Sequence, residues 1–134
     1  MGEARRARVV AVALMTIALA GCGPFGGKSA QDKAGDAVTQ LIEARNQGDF
    51  VRVCSLIASQ QLAKFKQAGT TCEQALPKLA QKGTTTSINV DQARVSGDRA
   101  TVDATVSQNG GAGNAQTILL VKEGGDWKVS QVGF

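Results

Sequence analysis

Three kinds of hydrophobic spacing follow one another along this chain. Residues 9–20 are apolar with only Thr16 interrupting. Beyond a glycine-rich stretch, apolar positions recur every three or four residues as far as Ala80, and from Thr84 onward they alternate with polar ones. The first pattern is a continuous apolar segment, the second a set of amphipathic helices and the third half-buried strands.

Within the helical part, Ser29 and Asp32 can open a helix. Ala34, Ala37, Val38, Leu41, Ile42 and Arg45 then follow at helical spacing until Gly48 ends it. Asp49 can cap a shorter helix carrying Phe50, Val53, Cys54, Leu56 and Ile57. Ser59 starts a turn or helix with Leu62 and Phe65, and Gly69 breaks it. Thr70-Thr71-Cys72-Glu73 reads as a second capping box ahead of Ala75, Leu76, Leu79 and Ala80, with Pro77 as a bend or weak point. The alternating part predicts strands at 84–90, 92–95, 99–107, 116–123 and 127–132. Turns fall at Ser96-Gly97-Asp98, across Asn109 to Asn114, and at Gly124-Gly125-Asp126. In the central strand Ala100, Val102, Ala104 and Val106 face one way and Thr101, Asp103 and Thr105 the other. Helices followed by an antiparallel meander predict an α+β domain, its helices packed on one face of a curved sheet.

The first apolar segment is a separate matter. Arg5, Arg6 and Arg8 precede it, giving the charged and apolar regions of a signal peptide. As a helix it would cover about 18 Å, against roughly 30 Å of membrane hydrocarbon, so cleavage is the better reading than a stable span. It ends in Leu19-Ala20-Gly21-Cys22. Those four residues resemble the processing box of bacterial lipoprotein precursors. The resemblance implies that the Cys22 thiol receives a diacylglyceryl group and becomes the first residue of the mature protein. Residues 1–21 are then signal peptide, 22–31 a flexible lipid-anchored tether and 32–134 the domain, held at the extracytoplasmic face of the cell membrane.

Composition narrows the chemistry. Loss of residues 1–21 removes three arginines and one glutamate from 15 basic and 11 acidic residues, leaving 12 against 10 and a net charge of +2. No basic stripe with interleaved aromatics remains, and no nucleic-acid partner is expected. The chain has no histidine and no tyrosine. That excludes Ser-His and Cys-His nucleophilic systems and histidine-ligated metals; no metal or other cofactor is expected. With Cys22 assigned to lipid, Cys54 and Cys72 are left as the expected disulfide of an exported domain. Gly27-Lys28-Ser29 imitates the end of a phosphate-binding loop, but Cys22 stands where that motif needs its first glycine and no strand precedes it.

Three short motifs together resemble the nuclear transport factor 2-like superfold, especially small lipoproteins of that type from high-GC Gram-positive bacteria. They are Gly48-Asp49-Phe50, Gly97-Asp98-Arg99-Ala100-Thr101-Val102, and Leu120-Val121-Lys122-Glu123 with Trp127-Lys128-Val129. The resemblance spans residues 32–134 and implies a cone whose sheet and helices enclose a pocket. Relatives include isomerases, dehydratases and pure binding or dimerisation modules, so fold does not choose among them. The enzymes resembling ketosteroid isomerase use a carboxylate base with Tyr or a protonated Asp, and the dehydratase-like ones a His-Asp pair. A chain without Tyr or His departs from both.

Candidate pocket residues are Phe50, Leu56, Phe65, Asp103, Leu119 and Trp127. Asp103 is the acid inside a predicted strand, although alternation alone would put it on the outer face with Thr101 and Thr105. Asp49 is a second possible pocket acid whose simpler role is an N-cap, and Trp127 would either stack on a ligand or fill the core. The expectation is a non-catalytic module binding an apolar small molecule, a lipid or a partner protein. The alternatives are an isomerase or lyase using Asp103 or Asp49 as base, and a pocketless structural module forming a homodimer.

Overall fold

The computed structural model describes residues 27–131. The processing box and Cys22 lie outside them. Four helices, α1 (Ala30–Gln47), α2 (Phe50–Ser55), α3 (Ser59–Gln67) and α4 (Cys72–Leu79), precede four strands, β1 (Thr86–Ser96), β2 (Arg99–Gln108), β3 (Asn114–Glu123) and β4 (Asp126–Gln131). The strands form one antiparallel sheet in the order β1-β2-β3-β4. The expected α+β architecture, helices and then a curved antiparallel meander, is the one observed.

Local chemistry sets both ends of α1. The Ser29 hydroxyl accepts from the Asp32 N–H at 3.1 Å, and the Asp32 carboxylate accepts in return from the Ser29 N–H at 3.2 Å. These bonds occupy two of the donors that a helix start leaves orphaned. At the far end Gly48 takes a left-handed conformation, φ 72°. Its N–H donates to Arg45 and the next N–H, of Asp49, to Ala44, which is the double closure that lets a helix stop and turn. The chain thus re-enters α2 directly, with Asp49 accepting from the Arg52 N–H at 3.0 Å.

Between those ends Ala34, Ala37, Val38, Leu41, Ile42 and Ala44 are buried against Ala100, Val102 and Ala104 of β2, Ile118 and Leu120 of β3, and Trp127 and Val129 of β4. The α1 C-terminus is further tied to β1. Asn46 accepts from the Thr86 N–H at 3.0 Å and donates to the Thr86 carbonyl at 2.7 Å, so its amide mimics a neighbouring strand.

Two departures from sequence expectation shape the sheet. The predicted strands at 84–90 and 92–95 are one strand, β1, in which Val90 opposes Ala104 and Gln92 opposes Asp103, leaving Asp91 as an extra residue. That bulge resets the alternation, so that Ile88 and Val90 face the helices before it and Ala93 and Val95 after it. A second irregularity lies in β4, where Leu119 opposes Gln131 and Leu120 opposes Val129, leaving Ser130 unpaired.

The expected capping box at 70–73 is also corrected. Thr71 is the N-cap of α4 and accepts from the Gln74 N–H at 3.3 Å, with no reciprocal bond from Glu73. The reciprocal partner has to sit three residues after the cap, which here is Gln74. Cys54 of α2 and Cys72 of α4 are disulfide-bonded, with Cα atoms 5.9 Å apart. No helix among the described residues is long and apolar enough to cross a membrane.

Candidate functional site

A cleft of about 780 Å³ lies between the helices and one end of the sheet. The four helices, β2 and β4 contribute to its lining. Leu41 and Arg45 come from α1, Phe50 and Val53 from α2, and Ile57 from the connection to α3. Gln61, Lys64 and Phe65 come from α3, and Leu76, Leu79, Ala80 and Gln81 from the end of α4 and just beyond. Gln108 of β2 and Ser130 and Gln131 of β4 close the sheet end. Such a volume lies in the range of sites for a single small ligand, roughly 300–1,000 Å³.

The parts are held in place by identifiable bonds. Residues 56–58 pair in parallel with the outer edge of β4: the Ala58 N–H donates to the Val129 carbonyl and the Val129 N–H to the Leu56 carbonyl, each at 2.8 Å. The α3 helix starts at Ala58 with no cap from its own segment. Glu123, from the end of β3, supplies one by accepting from the Ser59 N–H and hydroxyl. The Gln61 amide then donates to the Ser130 carbonyl, fixing α3 across the β4 bulge. The opposite wall, α4, is attached to α2 through Cys54–Cys72.

Chemically the cleft mixes apolar side chains from all four helices with polar ones from α1, α3 and the sheet end. Phe50, Phe65 and Leu76 are half-buried, and Leu79 is 69% exposed. The charged lining residues are Arg45 and Lys64, and no Asp or Glu of the described residues is among the lining. Arg45 Nη1 donates to the hydroxyl of buried Thr86 at 3.4 Å. Among the described residues no cluster of three His, Cys, Asp or Glu could hold a metal.

Of the candidates read from sequence, Phe50 and Phe65 line the cleft. Four do not. Asp103 is on the outer sheet face, where it pairs with Arg94 and accepts from the Thr117 hydroxyl at 2.8 Å. Leu119 shares that face and is 39% exposed, because strand alternation turns it away from its buried neighbours Ile118 and Leu120. Trp127 is a core residue, 6% exposed, and its ring carries the Lys122 ammonium 5.8 Å from its centroid. Leu56 packs against the same core and borders, with Trp127, a separate hollow of about 270 Å³. Asp49 caps α2 and is absent from the cleft lining.

Arg45, Gln61, Lys64, Leu76 and Leu79 were not singled out as pocket residues by sequence. One signal was available: Arg45 follows Leu41 and Ile42 on the apolar stripe of α1, where a solvated cation has no reason to be.

Comparison with known proteins gives a family and a fold. The model of a family described as a domain of unknown function, DUF4878, matches residues 22–130. No curated protein matches the chain. Among solved structures, a protein from Streptomyces avermitilis, provisionally described as a dehydratase of the NTF2-like family, aligns with a TM-score of 0.55 at 16% identity. The alignment covers 75% of this chain and 91% of that one. An NTF2-like protein of unknown function from Cytophaga hutchinsonii aligns at 0.45 and 15% identity, over 75% and 89% of the two chains. A de novo designed protein with a curved β-sheet gives 0.47 at 18% identity, over 74% and 95%. The fold is therefore NTF2-like.

Proposed function

The chain belongs to the DUF4878 family, a domain of unknown function, and from that premise we propose that it is a lipid-anchored module outside the cytoplasmic membrane whose cleft binds an apolar small molecule without transforming it. The observation that carries this reading is the lining of the cleft. Phe50, Phe65, Leu76 and Leu79 form an apolar wall, and no carboxylate stands opposite it among the described residues. A base must lie within hydrogen-bond reach of the proton it removes. Asp103 and Asp49 are both engaged elsewhere, in the Arg94 pair and the α2 cap. The absence of His and Tyr from the sequence argues the same way. Anchoring rests on Cys22 and its preceding Leu19-Ala20-Gly21; a diacylglyceryl thioether would give two acyl chains, enough for firm attachment where one is marginal.

One experiment tests both halves. The full-length protein is extracted from its own membrane and weighed by mass spectrometry under native and denaturing conditions. The denatured polypeptide is expected to begin at Cys22 and to carry acyl mass there. The native species is expected to carry a further small-molecule mass that denaturation removes. A native mass equal to that of the acylated polypeptide would remove the binding reading, and a dimeric mass in its place would favour a homodimeric structural role. An unacylated chain would remove the anchor.

A further inference from the structure

We propose that the outer edge of β1 is an interface whose occupant is β1 of a second copy of this chain, paired antiparallel about a two-fold axis between Asp91 and Gln92. β1 is the first strand of the sheet, and no strand lies on its other side among the described residues. Its two ends show which backbone groups face that edge. The Thr86 N–H and carbonyl are bonded to Asn46, so they point away from β2. Alternate residues of a strand point the same way, which turns the groups of Ile88 and Val90 to the edge. At the other end Ser96 pairs with Arg99 across the Gly97-Asp98 turn, which turns those of Val95 and Ala93 outward. Among the described residues nothing pairs with these four as Asn46 pairs with Thr86. Such an edge is a template for another strand. The side chains of the same four residues lie on the helix side and are only half-buried.

The bulge selects the occupant. In a regular strand the edge-facing residues recur at every second position, but across Asp91 the step runs from Val90 to Ala93. A regular extended partner therefore matches one half of β1 and falls out of phase on the other. A second copy carries the same long step where antiparallel pairing needs it. Val90 then opposes the partner's Ala93, and Ile88 opposes the partner's Val95, with the converse pairs across the axis. Each such pair can exchange both backbone bonds, its apolar side chains together on the helix side. On the outer face Asn89 opposes the partner's Arg94, and Asp91 lies diagonal to that same arginine. Opposite charges thus become neighbours and no like charges meet directly. The length agrees as well: with Thr86 taken by Asn46, the open edge runs from Ser87 to Ser96, and its midpoint is the bulge. A two-fold axis there uses one surface on both copies. No β1 residue lines the cleft, so the interface stands independently of the binding reading.

Disulfide trapping of the full-length chain, in the cells that express it, tests the pairing. Asn89 and the partner's Arg94 would face each other as a non-hydrogen-bonded pair with Cα atoms about 4.5 Å apart, within disulfide reach. Within one chain the same two residues are separated by roughly 16 Å of strand and cannot be bridged. The double variant Asn89→Cys, Arg94→Cys should therefore become a covalent dimer on mild oxidation and return to monomer on reduction. Both positions are exposed, so the variant should melt near the parent temperature before oxidation. Asn89→Cys alone and Arg94→Cys alone should stay at the parent's level of dimer, because the axis keeps each residue far from its own counterpart. Co-expressed, the two single variants should cross-link to each other. No excess dimer in the double variant or on co-expression would overturn the interface. Single variants that cross-link as fully as the double would overturn the register, and attachment to a different polypeptide would overturn a second copy as the occupant.

Discussion

Glu123 and Ser59, 64 residues apart in sequence, meet at the N-terminus of α3, where Glu123 Oε1 accepts from the Ser59 N–H at 3.0 Å and from its hydroxyl at 2.9 Å. The α3 helix begins on Ala58, which has no side-chain acceptor of its own. A carboxylate from the sheet therefore does the work of an N-cap and also places negative charge at the positive end of the helix. Glu123→Ala should lower stability by about 1 kcal/mol, or a melting temperature lower by roughly 4 °C. Hydrogen exchange should show the loss concentrated in the first turn of α3. An unchanged melting temperature and exchange pattern would mean that the cap contributes nothing.

The disulfide makes a larger prediction. Cys54 and Cys72 are buried and enclose a loop with a sequence separation of 18, for which the chain-entropy account gives about 3 kcal/mol. The bond also fixes α4, which carries Leu76 and Leu79 into the cleft. The double variant Cys54→Ala, Cys72→Ala should lose a large part of its thermal stability. Ligand binding measured well below the melting temperature should weaken as well, because the wall is no longer attached to α2. Retained affinity in a folded double variant would show that α4 is held well enough by packing.

Asp32 supplies a pH dependence. Its hydrogen bonds with Ser29, side chain first and backbone second, hold its carboxyl below the usual carboxylate range. A carboxylate with a depressed folded-state pKa contributes stability above the pKa of the unfolded chain, and loses it as pH falls through the folded value. The first turn of α1 should accordingly fray only in acid, below the pH at which an ordinary aspartate protonates. The Asp32 carboxyl carbon, followed by NMR, should titrate below its counterpart in a short peptide. Asp32→Asn should remove this acid sensitivity from the α1 amides, and a peptide-like titration would exclude the reciprocal cap.

How much of this was legible in the chain depends on how far apart the cooperating residues are. Ser29, Asp32, Gly48 and Asp49 act on their own neighbours within a few positions, and the sequence placed both ends of α1 and the start of α2. The bulge at Asp91 left a trace, since the apolar phase moves from Ile88 and Val90 to Ala93 and Val95; without the partner strand this reads as a break between two strands. Glu123 capping Ser59 left none, because nothing local in either segment refers to the other. The pocket candidates divide, Phe50 and Phe65 in the cleft lining and the others outside it, for a related reason. Hydrophobic residues chosen by type could be core, outer face or cleft, and only the packing of α3 and α4 separates Phe65 from Trp127 and Leu119. Arg45 and Lys64 were passed over because charged residues on helices are so often merely solvated.

Anchoring can be tested in the precursor itself. Cys22→Ala removes the thiol that the processing box would present for acylation. The variant should accumulate uncleaved and without acyl label in cells fed a radiolabelled fatty acid, whereas the parent should be labelled and shortened. Normal cleavage and labelling of the variant would show that Cys22 is not the modified residue.

Leu79 separates a role in binding from a role in folding. It is the last residue of α4, lines the cleft and remains 69% exposed, so folding buries little of it. Replacement by glutamine should therefore move stability by no more than about 0.5 kcal/mol, as for other surface substitutions. A hydrocarbon ligand lying against the wall would cover the exposed part, and losing that contact should cost on the order of 1 kcal/mol, or about fivefold in affinity. The same change at Leu76, half-buried and packed against the core, should cost stability as well as affinity. Leu79→Gln with parental stability and parental affinity would show that the ligand does not reach α4.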